Sequence, residues 1–229
     1  MGSKKMKNKK LIVFNLRGTL ILSYDQTIGL WCTAIKEVGL TPDFSIIFMN
    51  WDKPFRDCII PLLAEKGKWN ESQKTLVIKK SEELFHDLKF NSLADLPQKI
   101  FELKSAGYEL GIITNRSLEF FEDFLMDVDM KAEIFSFIKT GDDGIKKPDP
   151  HVFDMALEKF EACDIVFVGD SPDSDLVAAY SGTKKIDFVA VESAPFPKGL
   201  FMSRGVPEHM IVKSVEDFVD DMLALKKYS

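Results

Sequence analysis

Three carboxylates fall within six residues in Gly169-Asp170-Ser171-Pro172-Asp173-Ser174-Asp175. Clustered carboxylate oxygens suit a hard cation such as Mg²⁺. Upstream, Thr114-Asn115-Arg116 sets a hydroxyl, an amide and a cation side by side, and Lys146-Lys147-Pro148-Asp149-Pro150 puts two cations before a proline-marked helix entry. A hydroxyl, an ammonium and backbone amides suit the oxygens of a phosphate. Asn15-Leu16-Arg17-Gly18-Thr19-Leu20 adds a glycine that permits a sharp turn. Each piece alone has an ordinary explanation, since an acidic run is often a solvated turn or a helix cap and Lys-Pro is a common helix entry. Their joint order is what points to a phosphate and metal site.

That order becomes meaningful once the elements that carry the groups are placed. Leu11–Leu16 is a near-continuous apolar run rich in branched residues, as expected of a strand buried on both faces. Tyr108–Thr114, Ile134–Lys139, Asp164–Gly169 and Ile186–Val191 have the same character. Between most of them lie stretches with apolar residues three and four apart: Pro97–Ser105, Leu118–Met126, Asp149–Phe160 and Ser174–Ser181. Strand and helix in alternation predict an α/β fold, a Rossmann-like parallel sheet with helices on both faces and right-handed crossovers. Such a sheet binds ligands beyond the carboxyl ends of its strands, and each polar group above follows a strand. Residues 21–93 break the rhythm with helical patterning and no strong strand signal, so we read them as an inserted helical cap on a core of residues 1–20 and 94–229. His209–Val212 is a candidate short strand and Ser214–Leu225 a closing amphipathic helix.

Composition narrows the partners. Thirty Lys and Arg against 36 Asp and Glu give a net charge of −6, which lacks the broad positive field that a nucleic acid backbone requires. Five lysines crowd the first ten residues and read as a disordered basic head or an expression remnant. Three cysteines, Cys32, Cys58 and Cys163, are odd in number and widely spaced, as buried thiols in a reducing compartment would be. No apolar stretch approaches the roughly 20 residues that span a bilayer. The expectation is therefore a cytoplasmic protein with no nucleic-acid and no membrane partner.

Taken with their order, the motifs make the chain resemble the haloacid dehalogenase (HAD) superfamily, in particular its phosphoglycolate-phosphatase-like hydrolases with a small helical cap. The resemblance runs through the strand and turn at residues 11–20, the strand-terminal Thr114-Asn115, the Lys147-Pro148 pair, the Gly-Asp-Ser-x-x-x-Asp segment at 169–175 and the tail Arg204-Gly205-Val206-Pro207-Glu208-His209. It implies phosphomonoester hydrolysis in which one aspartate attacks phosphorus and a second acts as general acid and base. It also implies Mg²⁺ held by the attacking carboxylate, by the backbone carbonyl two residues on (here Arg17), by Asp170, and by Asp175 directly or through water. Thr114, Asn115, Gly18 and Lys147 match the substrate-binding positions.

The family's first motif reads Asp-x-Asp-Gly-Thr-Leu, and here both aspartates are replaced. Asn15 stands at the nucleophile position and Arg17 at the acid/base position. A neutral amide oxygen is a poor nucleophile, and a guanidinium with a pKa above about 12 exchanges no proton near neutrality. Asn15 also offers the cation only a neutral oxygen beside a fixed positive charge, so Mg²⁺ binding is expected to be weakened. Replacement of both positions favours natural divergence over a substrate-trapping substitution. The expectation is a phosphatase-fold protein that has lost hydrolysis and binds inorganic phosphate, a small phosphorylated molecule or a protein partner. Arg17 then either holds an anion or pairs with Asp170 or Asp175. The competing expectation is an active Mg²⁺-dependent hydrolase, or an engineered inactive variant of one.

Lesser candidates have plainer roles. Asp173 suits a cap on the helix beginning near Ser174, and Arg116 either adds an anion contact or faces solvent. His86, His151 and His209 are far apart and lack partners at a nucleophilic-triad spacing. Residues 48–56, with Phe48, Trp51, Lys53 and Arg56, read as either a substrate-reading loop or a packed helix junction.

Overall fold

A computed structural model describes residues 9–21, 24–50, 55–86, 95–193 and 195–227. In chain order the described residues form β1 (Leu11–Phe14), α1 (Tyr24–Glu37), α2 (Phe44–Met49), α3 (Ile60–Gly67), α4 (Glu71–His86), α5 (Leu96–Ser105), β2 (Glu109–Ile113), α6 (Leu118–Asp127), β3 (Phe137–Lys139), α7 (Asp154–Leu157), β4 (Ile165–Gly169), α8 (Asp175–Ser181), β5 (Asp187–Val191), α9 (Lys198–Ser203), β6 (Ile211–Val212) and α10 (Val215–Lys227). The chain divides into two compact units, Met1–Leu22 with Asn91–Ser229, and Ser23–Phe90.

The first unit carries all six strands of the described residues, hydrogen-bonded in the order β3-β2-β1-β4-β5-β6 with every pairing parallel. All four residues of β1 and all five of β4 are buried, which is why these segments read as continuous apolar runs rather than as alternation. Beneath the sheet's polar end, Phe167 packs edge-on against Phe153 at 5.2 Å and lies 5.9 Å from Phe188. The sheet is the doubly wound parallel type with helices between strands. From β1 the chain moves to β2 and β3 on one side and returns to β4 on the other, so the strand order reverses between β1 and β4. Ligands of such sheets bind in the crevice at that reversal. Register makes the crevice specific: Phe14 pairs with Ile112 and with Val168, so the residue after it emerges level with the last residues of β2 and β4.

Three local expectations are corrected. The strand expected at Ile134–Lys139 begins only at Phe137, because Ala132–Ile134 coils into a 3₁₀ turn before Ser136 joins β2 through the carbonyl of Leu110. The helix expected at Asp149–Phe160 is a 3₁₀ turn, Pro150–Phe153, leading into the single-turn α7; Asp149 caps it by accepting from the amide of His151. Part of the basic head belongs to the fold. Lys9 is buried, donates to the carbonyls of Cys163 and Ile165, and pairs with Asp187 at 2.6 Å; Lys10 pairs with Asp164 at 2.8 Å. Lys4, Lys5 and Lys7 lie outside the described residues. Of the thiols, Cys32 is buried, Cys58 half-buried and Cys163 exposed.

The second unit is helical. Trp31, Ile35, Ile47, Ile59, Ile60, Leu63 and Val77 form its interior, and the Trp31 ring stacks on Phe55 at 4.6 Å. Its surface carries ion pairs of Lys80 with Glu37, Lys66 with Asp43 and Arg56 with Glu82. Phe48 meets Tyr24 edge-on at 5.7 Å; Trp51 and Lys53, from the same suspected loop, lie outside the described residues.

Candidate active site

Four strand ends supply the site. Asn15 follows β1, its amide held by the Val168 carbonyl at 2.8 Å, so its side chain is fixed at the β1–β4 reversal. Asp170 follows β4 and Thr114 follows β2. Lys147 arrives on the loop beyond β3, and the Asn115 side chain fastens that loop: its Nδ2 donates to the Lys147 carbonyl and its Oδ1 accepts from the Lys147 amide, both at 2.8 Å. Asn115 is thus a positioning residue for the backbone of Lys147. Gly18 closes the β1 turn with φ of +82°, and a Cβ there would overlap the Asp170 carboxylate. Gly169 is similarly close to Asp175.

The side chains form one buried network. Lys147 Nζ donates to Asn15 Oδ1 at 2.7 Å and to the Ile113 carbonyl at 3.1 Å. It also stands 2.6 Å from Asp175 Oδ1, an ion pair whose angle lies off the hydrogen-bond direction. Its ammonium rests 5.4 Å from the centre of the Phe167 ring. Because a lysine only donates, the contact with Lys147 fixes the Asn15 oxygen toward it and turns the NH₂ the other way. That NH₂ donates to Asp170 Oδ1 at 2.9 Å and to the Arg17 carbonyl at 2.8 Å. Thr19 Oγ1 makes a long contact, 3.4 Å, with the same Asp170 oxygen. Asp175 Oδ2 accepts from the amides of Asp170 and Ser171.

Burial pushes the Asp170 carboxyl up to about 8, with the nearby Asp175 charge adding to the rise and Lys147 and the Asn15 hydrogen bond opposing it. Asp170 is therefore largely protonated at neutral pH. Asp175 and Lys147 balance each other. Arg17 is half-buried, as is Arg116, whose guanidinium lies 5.5 Å from the Phe120 ring centre and is drawn down to about 10 by burial, still cationic at neutral pH. The Thr114 hydroxyl accepts from the Arg116 amide and keeps its own hydrogen to donate.

The sequence-derived residues Asn15, Thr114, Asn115, Lys147, Asp170 and Asp175, with the turn at Gly18, thus converge on one crevice. The rest are distributed differently. Asp173 does not cap α8; it is exposed and pairs with Arg204, while the Ser171 hydroxyl accepts from the Ser174 amide. His151 is exposed, with Nδ1 3.1 Å from Asp154, and His209 is exposed. Thr19, Phe167 and the Ile113 carbonyl gained no role from the sequence. Thr19 stood in the quoted turn, but nothing in spacing links it to a carboxylate 151 residues away.

A divalent cation fits these residues poorly. The two oxygens it would bridge, Asp170 Oδ1 and the Arg17 carbonyl, already accept from one NH₂ group, and both Asp175 oxygens face donors or a cation. Among the described residues no cluster of three or more His, Cys, Asp or Glu side chains is placed to hold a metal.

The profile of haloacid dehalogenase-like hydrolases matches residues 12–191. The chain belongs to that family. A phosphoglycolate phosphatase of Vibrio vulnificus is 27% identical over 226 residues, covering 94% of this chain and 93% of that protein. Another, of Photorhabdus laumondii, is 26% identical over 194 residues, 80% of this chain and 81% of its own length. A glyceraldehyde 3-phosphate phosphatase of Pyrococcus abyssi is 33% identical over 113 residues, so the chain spans under half of that relative, 46%. Among solved structures, a predicted phosphoglycolate phosphatase of Haemophilus somnus superposes with a TM-score of 0.73 at 20% identity, covering 93% of this chain and 97% of that one. CbbY of Rhodobacter sphaeroides, an aspartate-to-asparagine variant in complex with xylulose-(1,5)bisphosphate, superposes with a TM-score of 0.62 at 19% identity, covering 82% and 88%. At these identities the structures attest the fold.

Proposed function

We propose that this HAD-family chain no longer hydrolyses phosphomonoesters and instead binds inorganic phosphate or a small phosphorylated molecule at the β1–β4 crevice. The observation that carries the reading is Asn15, an uncharged amide at the position from which the family's nucleophile would attack, already engaged by Lys147, Asp170 and the Arg17 carbonyl. No acyl phosphate forms on an amide oxygen, and no proton moves through a guanidinium at position 17. Hydrolysis by such a site would lack both the bond-forming and the proton-transferring group.

Binding is supported by what remains. With Asp170 largely protonated and Lys147 matched by Asp175, the crevice is near neutral, so an anion meets little repulsion there and finds the Thr114 hydroxyl hydrogen as a donor. The relatives named as phosphatases act on small phosphate esters. The CbbY complex holds such an ester in a variant with an asparagine in place of an aspartate.

Two measurements test the reading. Purified wild-type protein should release no phosphate from an aryl phosphate with Mg²⁺, while the Asn15→Asp, Arg17→Asp double variant should turn over. Wild-type turnover within about tenfold of the double variant would establish the competing reading of an active Mg²⁺-dependent phosphatase. Calorimetric titration of the wild type with phosphate should show binding; no heat at about millimolar phosphate would leave a crevice closed on itself.

A further inference from the structure

The site's poor fit for a divalent cation has a specific origin in one functional group. We propose that the Asn15 NH₂ takes the place of the cation: it bridges Asp170 Oδ1 and the Arg17 carbonyl, the two oxygens a metal would join, and so makes the crevice metal-independent. The inference rests on the family assignment and deepens the reading above.

Three observations carry it. The NH₂ nitrogen lies 2.9 Å from Asp170 Oδ1 and 2.8 Å from the Arg17 carbonyl, using both of its hydrogens on those two oxygens. Its direction is dictated by Lys147, whose Nζ needs an acceptor and finds Asn15 Oδ1 at 2.7 Å. Lys147 is itself locked by the Ile113 carbonyl and by Asp175, both buried, so the amide cannot turn over without leaving an ammonium unsatisfied. A carboxylate at position 15 would behave oppositely. It has no hydrogen to give, so Asp170 Oδ1 and the Arg17 carbonyl would lose their bridge and face a third acceptor. Three oxygens converging with only a displaceable carboxyl proton between them are a cation site. One atom group, NH₂ against O⁻, therefore decides whether those two oxygens are satisfied from within the protein or call for a metal.

Mn²⁺ alone, with no phosphate present, is the probe, and its binding is read by electron paramagnetic resonance of the free ion. Wild type should show no site-bound Mn²⁺, and Asn15→Asp should gain at least about tenfold in affinity. Adding Asp170→Asn to that variant should remove the gain, which assigns it to this crevice. Thermal unfolding should move upward with Mg²⁺ for Asn15→Asp and stay put for wild type. Equal affinity in wild type and Asn15→Asp, whether both bind or neither does, overturns the inference. If Asn15→Asp does not fold, Asn15→Ala, which clears the bridge, replaces it: Mn²⁺ should bind more tightly than to wild type, and equal binding overturns the inference. Turnover and phosphate binding do not enter these readouts, so failure here is distinguishable from failure of the proposed function.

Discussion

Lys147 has three ammonium hydrogens and three partners: an amide oxygen, a backbone carbonyl and a carboxylate, all in the interior. Removing such a cation leaves Asp175 as an uncompensated buried charge. Lys147→Met should therefore lower stability by about 3–5 kcal/mol, measured by urea unfolding. A loss under about 1 kcal/mol would mean that the pair is solvated and the network loose. Asp170 makes a pH prediction. Its carboxyl is raised to about 8 in the folded protein from an ordinary value near 3.8, so between those values the folded state holds one proton more than the unfolded chain. Stability contributed by this group is full below the lower value and is lost as pH rises toward about 8. Asp170→Asn should flatten that decline between about pH 5 and about pH 8, read as urea midpoints across the range. Identical slopes for the two proteins would place the Asp170 titration elsewhere. At this scale the sequence revealed which residues gather, because each follows a strand. It did not reveal who bonds to whom. That Asn15 stands against Asp170 and Lys147 against Asp175 reflects a geometry set by register and by the reach of Lys147 from β3, neither of which spacing records.

The turn after β1 shows how an element serves the site. Gly18 is there because the chain must reverse with a left-handed residue while the Asp170 carboxylate passes against its Cα. Gly18→Ala meets both the backbone penalty and the overlap, and should destabilise by about 1–3 kcal/mol while weakening phosphate binding. Unchanged thermal midpoint and unchanged affinity would show that the turn yields without disturbing Asp170. The central strands were readable because burial on both faces leaves an unbroken apolar run. Elements at the margin were not. Pro150–Phe153 keeps the apolar spacing of a helix, yet the Asp149 cap and Pro150 tighten it into a 3₁₀ turn, and periodicity cannot tell those two windings apart over one turn. Lys9 illustrates the same limit from the other side: a lysine among lysines looks solvated until the carbonyls of Cys163 and Ile165 and the Asp187 carboxylate are brought to it by β4 and β5.

Across the whole molecule, the division of labour follows the sequence interruption. Among the described residues, every strand and every residue of the crevice network belongs to the unit formed by Met1–Leu22 and Asn91–Ser229, while Ser23–Phe90 builds its own interior around Trp31, Ile35, Leu63 and Val77. A unit with a complete sheet and its own buried core meets the requirements for independent folding. Replacing residues 23–90 with a short Gly/Ser linker should therefore leave a soluble protein with a cooperative thermal transition and a parallel-sheet circular dichroism spectrum. Because the atoms proposed to hold phosphate all lie in that unit, inorganic phosphate should bind the shortened protein within about threefold of the full chain. Loss of phosphate binding by a folded shortened protein would show that the atoms of that unit do not hold the anion by themselves.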